Sequence, residues 1–304
     1  MGMSSRSPGR LPPAGRPWRG SPARLGGLVL TTALLALPTA CGGPGPGATA
    51  STGSDASVGS APIADAGDFG LTYQPAENRN LAGLIDPIRE AAVIEPEIDW
   101  LNQAFALPRD VAVVWLECGE DNAFYDTETT TIELCYEMVD DFVDRFEADG
   151  DDPEDAFWYA MDAAAFFFHH EVGHALVDLY ALPITGREED ASDELAAITL
   201  IEGWEDGALT LMAAMDSFYL SGMEEEASGD AEDLPFWDEH AFDLQRFYRI
   251  ACLIYGSDAE EEAWLVEDGS VPEEQAEACV DEYAQKRESW SRLLEPYYLE
   301  TPAP

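Results

Sequence analysis

The sequence predicts an α+β fold, in which a small, mainly antiparallel sheet is followed by a long buried helix and a mostly helical C-terminal part. Three observations carry this prediction. Short β-rich runs separated by polar turns lie between residues 111 and 136. Residues 163–177 are surrounded by Ala, Phe, Leu and Val on nearly every side, which is typical of a buried helix. The segments after residue 187 are predicted as successive helices.

The first 40 residues have the features of an export signal. They contain five arginines and no acidic residue, and a short apolar run and small residues then precede Cys41. A cysteine in this context resembles a bacterial lipobox, although Pro38 stands where a lipobox usually has leucine. The resemblance implies that Cys41 becomes the lipidated first residue of the mature protein and its only contact with a membrane. Ordinary secretion is the alternative.

Residues 41–68 are mostly Gly, Ser, Ala, Pro and Thr without periodicity, which predicts a flexible linker. The folded domain is predicted over residues 69–304. The formal net charge of the whole chain is -46. The part after residue 40 is more negative still, at -51, because it holds 10 basic and 61 acidic residues. A surface of this sign excludes nucleic acid as an expected partner.

The elements before the long helix are predicted in order. Residues 83–107 are predicted as helix, with a break before Pro96 because a residue preceding proline avoids the helical conformation. Residues 111–118 form the first predicted strand. Residues 122–125 and 130–136 are predicted to pair as a hairpin, since a short polar turn separates them.

The long helix has a clear start. Residues 151–155 offer an N-cap aspartate, a proline in the first turn and acidic residues that suit the helix dipole. The helix should run to about Leu179, before Pro183 and Gly186 end it, and a new helix is predicted near Arg187. Further helices are predicted at about 204–221, 233–255 and 272–294.

The long helix contains the motif H-E-x-x-H at residues 170–174. The chain has only four histidines, and three of them lie between residues 169 and 174. On a helix, His170 and His174 lie on one face about 6 Å apart along the axis, so both imidazoles reach one zinc ion. Glu171 then lies beside the metal as a proton acceptor. His169 is rotated by ~100° from His170, so we expect it to be a packed or hydrogen-bonded neighbour.

A catalytic zinc has three protein ligands and one open position. No further histidine follows the motif at short spacing, so the third ligand should be a carboxylate near the start of the next helix. Glu189 and Asp193 lie one turn apart on one face, where one acid can bind zinc and the other can orient a ligand histidine. Three neighbouring acids remain alternatives: Glu188, Asp190 and Glu194.

H-E-x-x-H followed by E-x-x-x-D resembles the glutamate-zincins, the thermolysin-like enzymes. The resemblance implies a zincin-like fold, one catalytic zinc, Glu189 as the third ligand and Asp193 as the partner of a ligand histidine. More closely, residues 111–292 resemble the bacterial metallopeptidase family DUF4344. The matching segments are Cys118–Gly119, Asn122–Tyr125, Cys135–Glu137, His169–Leu176, Gly186–Asp190, Asp238–His240, Gln245–Tyr248 and Cys252–Gly256.

Two further parts of the site are predicted. Asn122 and Ala123 resemble the edge-strand segment with which thermolysin-like enzymes pair an extended peptide, and a core hairpin strand is the alternative. His240, the only histidine outside the motif, is a candidate for stabilising the oxyanion of the tetrahedral intermediate. A structural role is its alternative, and Tyr180 and Arg246 are further candidates for the oxyanion.

The four cysteines after Cys41 are typical of an oxidising location, and they allow three pairings. A Cys118–Cys135 bond would connect the hairpin region, and a Cys252–Cys279 bond would join the last two helices. Zinc binding by these cysteines is the rival interpretation, but their spacing lacks C-x-x-C.

The sequence therefore predicts an exported zinc metallopeptidase that acts on peptides or proteins. Zinc held by His170, His174 and Glu189 activates a water molecule, and Glu171 removes its proton and later delivers it to the leaving amine. Two alternatives remain open: a zincin-fold binding lipoprotein without turnover, and a zinc amidase that acts on cell-wall peptides.

Overall fold

The computed structural model describes residues 63–299, apart from residue 205 and residues 229–238. The predicted signal peptide and Cys41 lie outside the described residues, as does most of the predicted linker. Within the described part of the chain, no helix combines the length and the apolar character needed to cross a membrane.

The described residues form a four-stranded sheet and nine α-helices. The strands are β1 (Phe69–Tyr73), β2 (Val111–Leu116), β3 (Ala123–Asp126) and β4 (Thr131–Cys135). The helices are α1 (Arg79–Ala91), α2 (Ile94–Ala104), α3 (Tyr136–Asp149), α4 (Pro153–Tyr180), α5 (Glu188–Gly203), α6 (Gly207–Ser228), α7 (Asp243–Ser257), α8 (Trp264–Glu267) and α9 (Ala276–Leu294), and a short 3₁₀ turn follows at Glu295–Tyr297.

The α+β class with a small sheet is confirmed, but the strand pairing is mixed. The strand order is β1-β2-β4-β3, with β1–β2 and β2–β4 parallel and only β3–β4 antiparallel. The chain crosses from β1 to β2 through α1 and α2, and such a crossover returns the next strand in the same direction. The hairpin places β3 outside β4, at the edge of the sheet. The mainly antiparallel pairing that we expected is therefore found only in the β3–β4 hairpin: β1 was not predicted, and β4 pairs with β2 in the parallel direction.

The predicted strands over residues 111–136 and the long helix are confirmed, and so is the break between α1 and α2. Two helices were not predicted, α3 and the short α8. The sheet therefore does not directly precede the long helix, because α3 lies between them. The described part of the helix predicted over 233–255 begins at Asp243.

Helix α4 is central to the domain and starts as predicted. The Asp152 carboxylate accepts hydrogen bonds from the backbone N–H of Glu154 and Asp155, at 3.1 Å each, which satisfies two donors of the first turn. The helix ends at Ala181, whose left-handed φ of 49° terminates the turn. It packs against α3, α5 and α6 and against strand β3, so most of its surface is buried.

The close contact between α4 and α5 depends on a glycine inside the motif. A Cβ atom on Gly173 would lie 3.1 Å from the Cα and Cβ of Ser192, which is tighter than an ordinary packing contact. Glycine costs up to ~1 kcal/mol in a helix relative to alanine. Here its lack of a side chain allows the first two turns of α5 to approach the motif.

Both predicted disulfides are present. Cys118 and Cys135 join the end of β2 to the end of β4, and Cys252 and Cys279 join α7 to α9. The rival interpretation, in which these cysteines bind zinc, is wrong, because their sulfur atoms are bonded to one another.

Candidate metal centre

The two motif histidines lie side by side on α4. Their Nε2 atoms are 3.2 Å apart, and the His170 side chain is only 4% exposed. The i to i+4 spacing accounts for this arrangement, because the two rings project from one face on successive turns.

Helix α5 adds a carboxylate to the pair. Glu189 Oε2 lies 3.1 Å from His170 Nε2 and 3.3 Å from His174 Nε2. Three ligands at ~2.0 Å from a tetrahedral zinc are separated from one another by about 3.3 Å. The three separations in the structure, 3.1, 3.2 and 3.3 Å, therefore fit a single zinc ion between these atoms.

The outer nitrogens of both rings are held by carboxylates. His170 Nδ1 donates to Asp193 Oδ1 at 2.8 Å, and His174 Nδ1 donates to Glu188 Oε1 at 2.8 Å. With Nδ1 as the donor, each ring presents the Nε2 lone pair to Glu189. In that tautomer three acceptors face one another at close range, an arrangement that a bound metal ion or protonation of a ring satisfies.

The acidic residues of α5 differ in the partners that their carboxylates contact. Glu189 alone has its carboxylate against both Nε2 atoms, while Glu188 and Asp193 contact the outer nitrogens. Asp190 forms an ion pair with Arg249, and Glu194 forms one with Lys286. Asp190 and Glu194 thus point to α7 and α9 instead of the motif.

Asp193 is itself fixed by Arg246 of α7. Arg246 donates from Nε to Asp193 Oδ2 at 2.8 Å and from Nη2 to Oδ1 at 2.6 Å, and its guanidinium lies 4.0 Å from the ring centroid of Phe218. Burial raises the pKa of Asp193, but Arg246 and His170 outweigh it and hold this pKa well below its usual range. Burial also opposes protonation of His170, yet hydrogen bonds to Asp193 and Glu189 raise its pKa to about 9.

Glu171 is buried next to the histidine pair. Glu171 is only 6% exposed, and this burial raises the pKa of its carboxyl group. The charges of His170 and His174 lower the same pKa but do not outweigh the burial. A carboxyl group whose pKa is raised beside a metal site has the character of a general acid and base.

His240 also reaches this centre, from the segment just before α7. Its Nε2 lies 3.1 Å from Glu189 Oε2. Arg187 donates from Nη1 to the backbone oxygen of His240 at 3.2 Å, which connects this segment to the N-terminus of α5.

The other two oxyanion candidates have different contacts. The hydroxyl of Tyr180 donates to the backbone oxygen of Ala106 at 3.1 Å, and its ring stacks on Tyr297 with centroids 3.8 Å apart. Arg246 is engaged with Asp193 through Nε and Nη2, which form one edge of its guanidinium. Neither contact directs the group at a substrate.

Asn122 and Ala123 lie at the start of the edge strand β3. Among the described strands, β3 pairs only with β4, and it packs on α4. The backbone N–H of Ala123 donates to Asn122 Oδ1 at 3.0 Å. The predicted peptide-binding role of these two residues stays a prediction, although the edge position suits it.

The partners of two buried charged residues, Arg246 and Glu97, were not predicted from the sequence. Arg246 lies on the apolar face of α7 with Ile250 and Leu253, and Glu97 lies on the apolar face of α2 between Ile94 and Leu101. A charged residue within an apolar stripe is costly unless a partner satisfies it. That signal identifies such residues, but it does not name their partners.

A helix that carries H-E-x-x-H, with a carboxylate from the next helix directed at the same point, is the arrangement typical of metallopeptidases. The chain belongs to the family DUF4344, which is described as "Putative metallopeptidase" and whose sequence profile matches residues 73–294. A metal ion is implied by that family. Searches of curated proteins and of solved structures found no match.

Proposed function

We propose that this metallopeptidase is an exported zinc enzyme that hydrolyses peptide bonds. The main observation in support is that His170 Nε2, His174 Nε2 and Glu189 Oε2 lie 3.1–3.3 Å from one another, as the ligands of one tetrahedral zinc do. Two imidazoles and one carboxylate form a ligand set that suits zinc, with one position left for the reaction. The zinc supplies a Lewis acid that lowers the pKa of water towards ~7 and polarises the substrate carbonyl.

The residues of the chain supply the remaining chemistry. Asp193 and Glu188 keep both imidazoles in the tautomer that presents Nε2, and Arg246 fixes Asp193. Glu171 accepts the proton of the attacking water and then donates it to the leaving amine. Its burial beside the two histidines supports this role.

We further propose that the substrate is an extended peptide that pairs with the edge of β3 that no described strand covers. Asn122 and Ala123 would then provide backbone contacts, which give affinity without strong choice of side chain. The hydrogen bond between Tyr125 and Asp178, at 2.9 Å, holds β3 against α4 and thus near the metal centre.

The decisive substitution is Glu171→Gln. We expect it to retain one zinc per chain and to lower peptide hydrolysis by at least ~10²–10⁴-fold, because it removes the proton acceptor but no ligand. Zinc content by atomic absorption and cleavage of a mixed peptide library by mass spectrometry would measure both. The library should contain cell-wall peptides, whose exclusive cleavage would identify an amidase instead.

The matched control is Glu154→Gln, which changes an exposed carboxylate in the first turn of the same helix. It should retain both zinc and activity. Undiminished turnover in Glu171→Gln would refute the assignment. Zinc binding by the native chain with no cleavage of any peptide would favour a binding protein.

We also propose the export route: residues 1–40 as a signal peptide, Cys41 as the lipidated residue, residues 41–68 as a linker and 69–304 as the peptidase domain. The two disulfides support an oxidising location. Cys41→Ser should abolish incorporation of a labelled fatty acid and release the protein from the membrane fraction. Labelling that survives this substitution would contradict the anchor.

A further inference from the structure

His240 contacts the same carboxylate oxygen that faces the two motif histidines. Its Nε2 lies 3.1 Å from Glu189 Oε2, and one ligand atom each of His170, Glu189 and His240 lie within 4.8 Å of one another. The separation of 3.1 Å equals that between His170 Nε2 and Glu189 Oε2. It is also close to the ~3.3 Å between two ligands of a tetrahedral zinc.

A tetrahedral zinc bound by His170, His174 and Glu189 has one position left. We propose that His240 Nε2 occupies this position in the resting protein, so that four protein ligands close the site. This proposal rests on the metal centre proposed above. It differs from an oxyanion role, in which the imidazole would remain outside the ligand set and donate a hydrogen bond to the oxyanion of the tetrahedral intermediate.

The exposure of the four side chains indicates which ligand can leave. His170 is 4% exposed, His174 14% and Glu189 16%, whereas His240 is 44% exposed. His240 is thus the member on the solvent side, where a substrate must approach. The other three lie on the packed helices α4 and α5, while His240 precedes α7 in a segment without regular structure.

The consequence is a latent peptidase. A closed zinc site with four protein ligands is typical of structural zinc, and an open position is typical of catalysis. A peptide must displace the His240 imidazole to reach the centre. The apparent affinity for substrate is then reduced by the fraction of the protein in which His240 has left.

The first test measures the ligands directly in the native chain. X-ray absorption at the zinc edge of the fully zinc-loaded protein should show three imidazoles and one carboxylate. In His240→Ala it should show two imidazoles. A native spectrum with only two imidazoles would overturn the proposal. The readout is independent of hydrolysis, so it distinguishes this proposal from the peptidase assignment.

The second test uses His240→Ala, with Glu239→Gln as the matched control on the neighbouring exposed residue. Chelator competition should give a zinc Kd for His240→Ala that is raised about 10-fold or more, because the native affinity includes the contribution of the closed state. If the native site is closed nine-tenths of the time, kcat/KM should rise about tenfold. Glu239→Gln should change neither value.

An unchanged zinc Kd with a lower kcat/KM would overturn the proposal and assign His240 to the oxyanion. Absence of hydrolysis in every variant, together with three imidazoles in the native spectrum, would support the closed site and refute the peptidase. Circular dichroism of His240→Ala verifies that the variant is folded.

Discussion

His169 and His170 are adjacent in sequence and equally buried, at 2% and 3% exposure, yet they lie in different environments. His169 donates from Nε2 to Glu97 Oε2 at 2.7 Å, and His170 donates from Nδ1 to Asp193 Oδ1 at 2.8 Å. Each histidine therefore has a buried carboxylate partner. The step of ~100° between neighbouring helical residues directs one ring to α2 and the other to α5.

The difference lies in the second ring nitrogen. His170 Nε2 meets the Nε2 of His174 and the carboxylate of Glu189, so three lone pairs converge. His169 has no place in this set, and its pair with Glu97 connects α4 to α2. Burial and a carboxylate partner are thus common to both rings, and only the convergence of several donors makes a metal site.

The comparison is tested most strongly by changing each histidine to alanine. His170→Ala should weaken zinc binding at least ~100-fold, since three ligands share a binding free energy of the order of ~10 kcal/mol. His169→Ala should keep one zinc per chain. Its free energy of unfolding should instead fall by about 3–5 kcal/mol, because Glu97 is left buried without its partner.

Zinc content after dialysis and denaturant unfolding would measure these two effects. The unfolding of His169→Ala should be compared with that of the native protein at equal zinc saturation. Loss of zinc from His169→Ala, with the fold intact, would contradict the comparison.

A smaller effect is expected for Arg246→Met. This substitution removes the guanidinium that holds Asp193, which in turn accepts the hydrogen bond from His170. Asp193 then keeps only its contact with His170, and we expect zinc affinity to fall by ~10–100-fold. Chelator competition at matched folded fractions measures this change, and partial recovery in Arg246→Lys would identify charge as the cause.

Arg249→Met is the control for Arg246→Met. It lies one turn from Arg246 on α7 and pairs with Asp190, but its side chain is 49% exposed. An exposed pair of this kind contributes at most ~1 kcal/mol to stability. Equal loss of zinc in both variants would show that Arg246 acts only through general stability.

The smallest effect is expected for Glu188→Gln. Glu188 accepts from His174 Nδ1, but its side chain is 49% exposed, and water can replace it. Zinc affinity should fall by less than ~10-fold, below the effect of Asp193→Asn at the buried partner of His170. Side-by-side titrations with a zinc indicator measure this order, and a reversed order would contradict it.

Much of the fold was predictable from local signals. The N-cap Asp152 and Pro153 marked the start of α4, and β-rich runs bounded by turn residues marked β2 and β4. Strand β1 has only five residues, and α3 begins directly after β4 with no turn between them, so neither segment was recognised as a separate element. The parallel pairing of β1 with β2 follows from a crossover through two helices, which no short window of sequence contains.

The site was predictable in part for the same reason. Helical spacing alone places His170 and His174 on one face, so the pair was accessible from sequence. The acids of α5 all lie within two turns, and the orientation of that helix against α4 separates Glu189 from Asp190 and Glu194. Arg246 lies 53 residues from its partner Asp193, so only the packing of α7 on α5 reveals the contact.

The sequence by itself determined the α+β order of elements, the buried motif helix and the two imidazoles on one of its faces, because these depend on interactions between residues close in the chain. The tertiary structure decided the third donor, the carboxylate partner of each histidine and the approach of His240. These depend on the close contact at Gly173 and on helices that meet across long stretches of sequence, where packing and charge select one arrangement among several that local patterns allow.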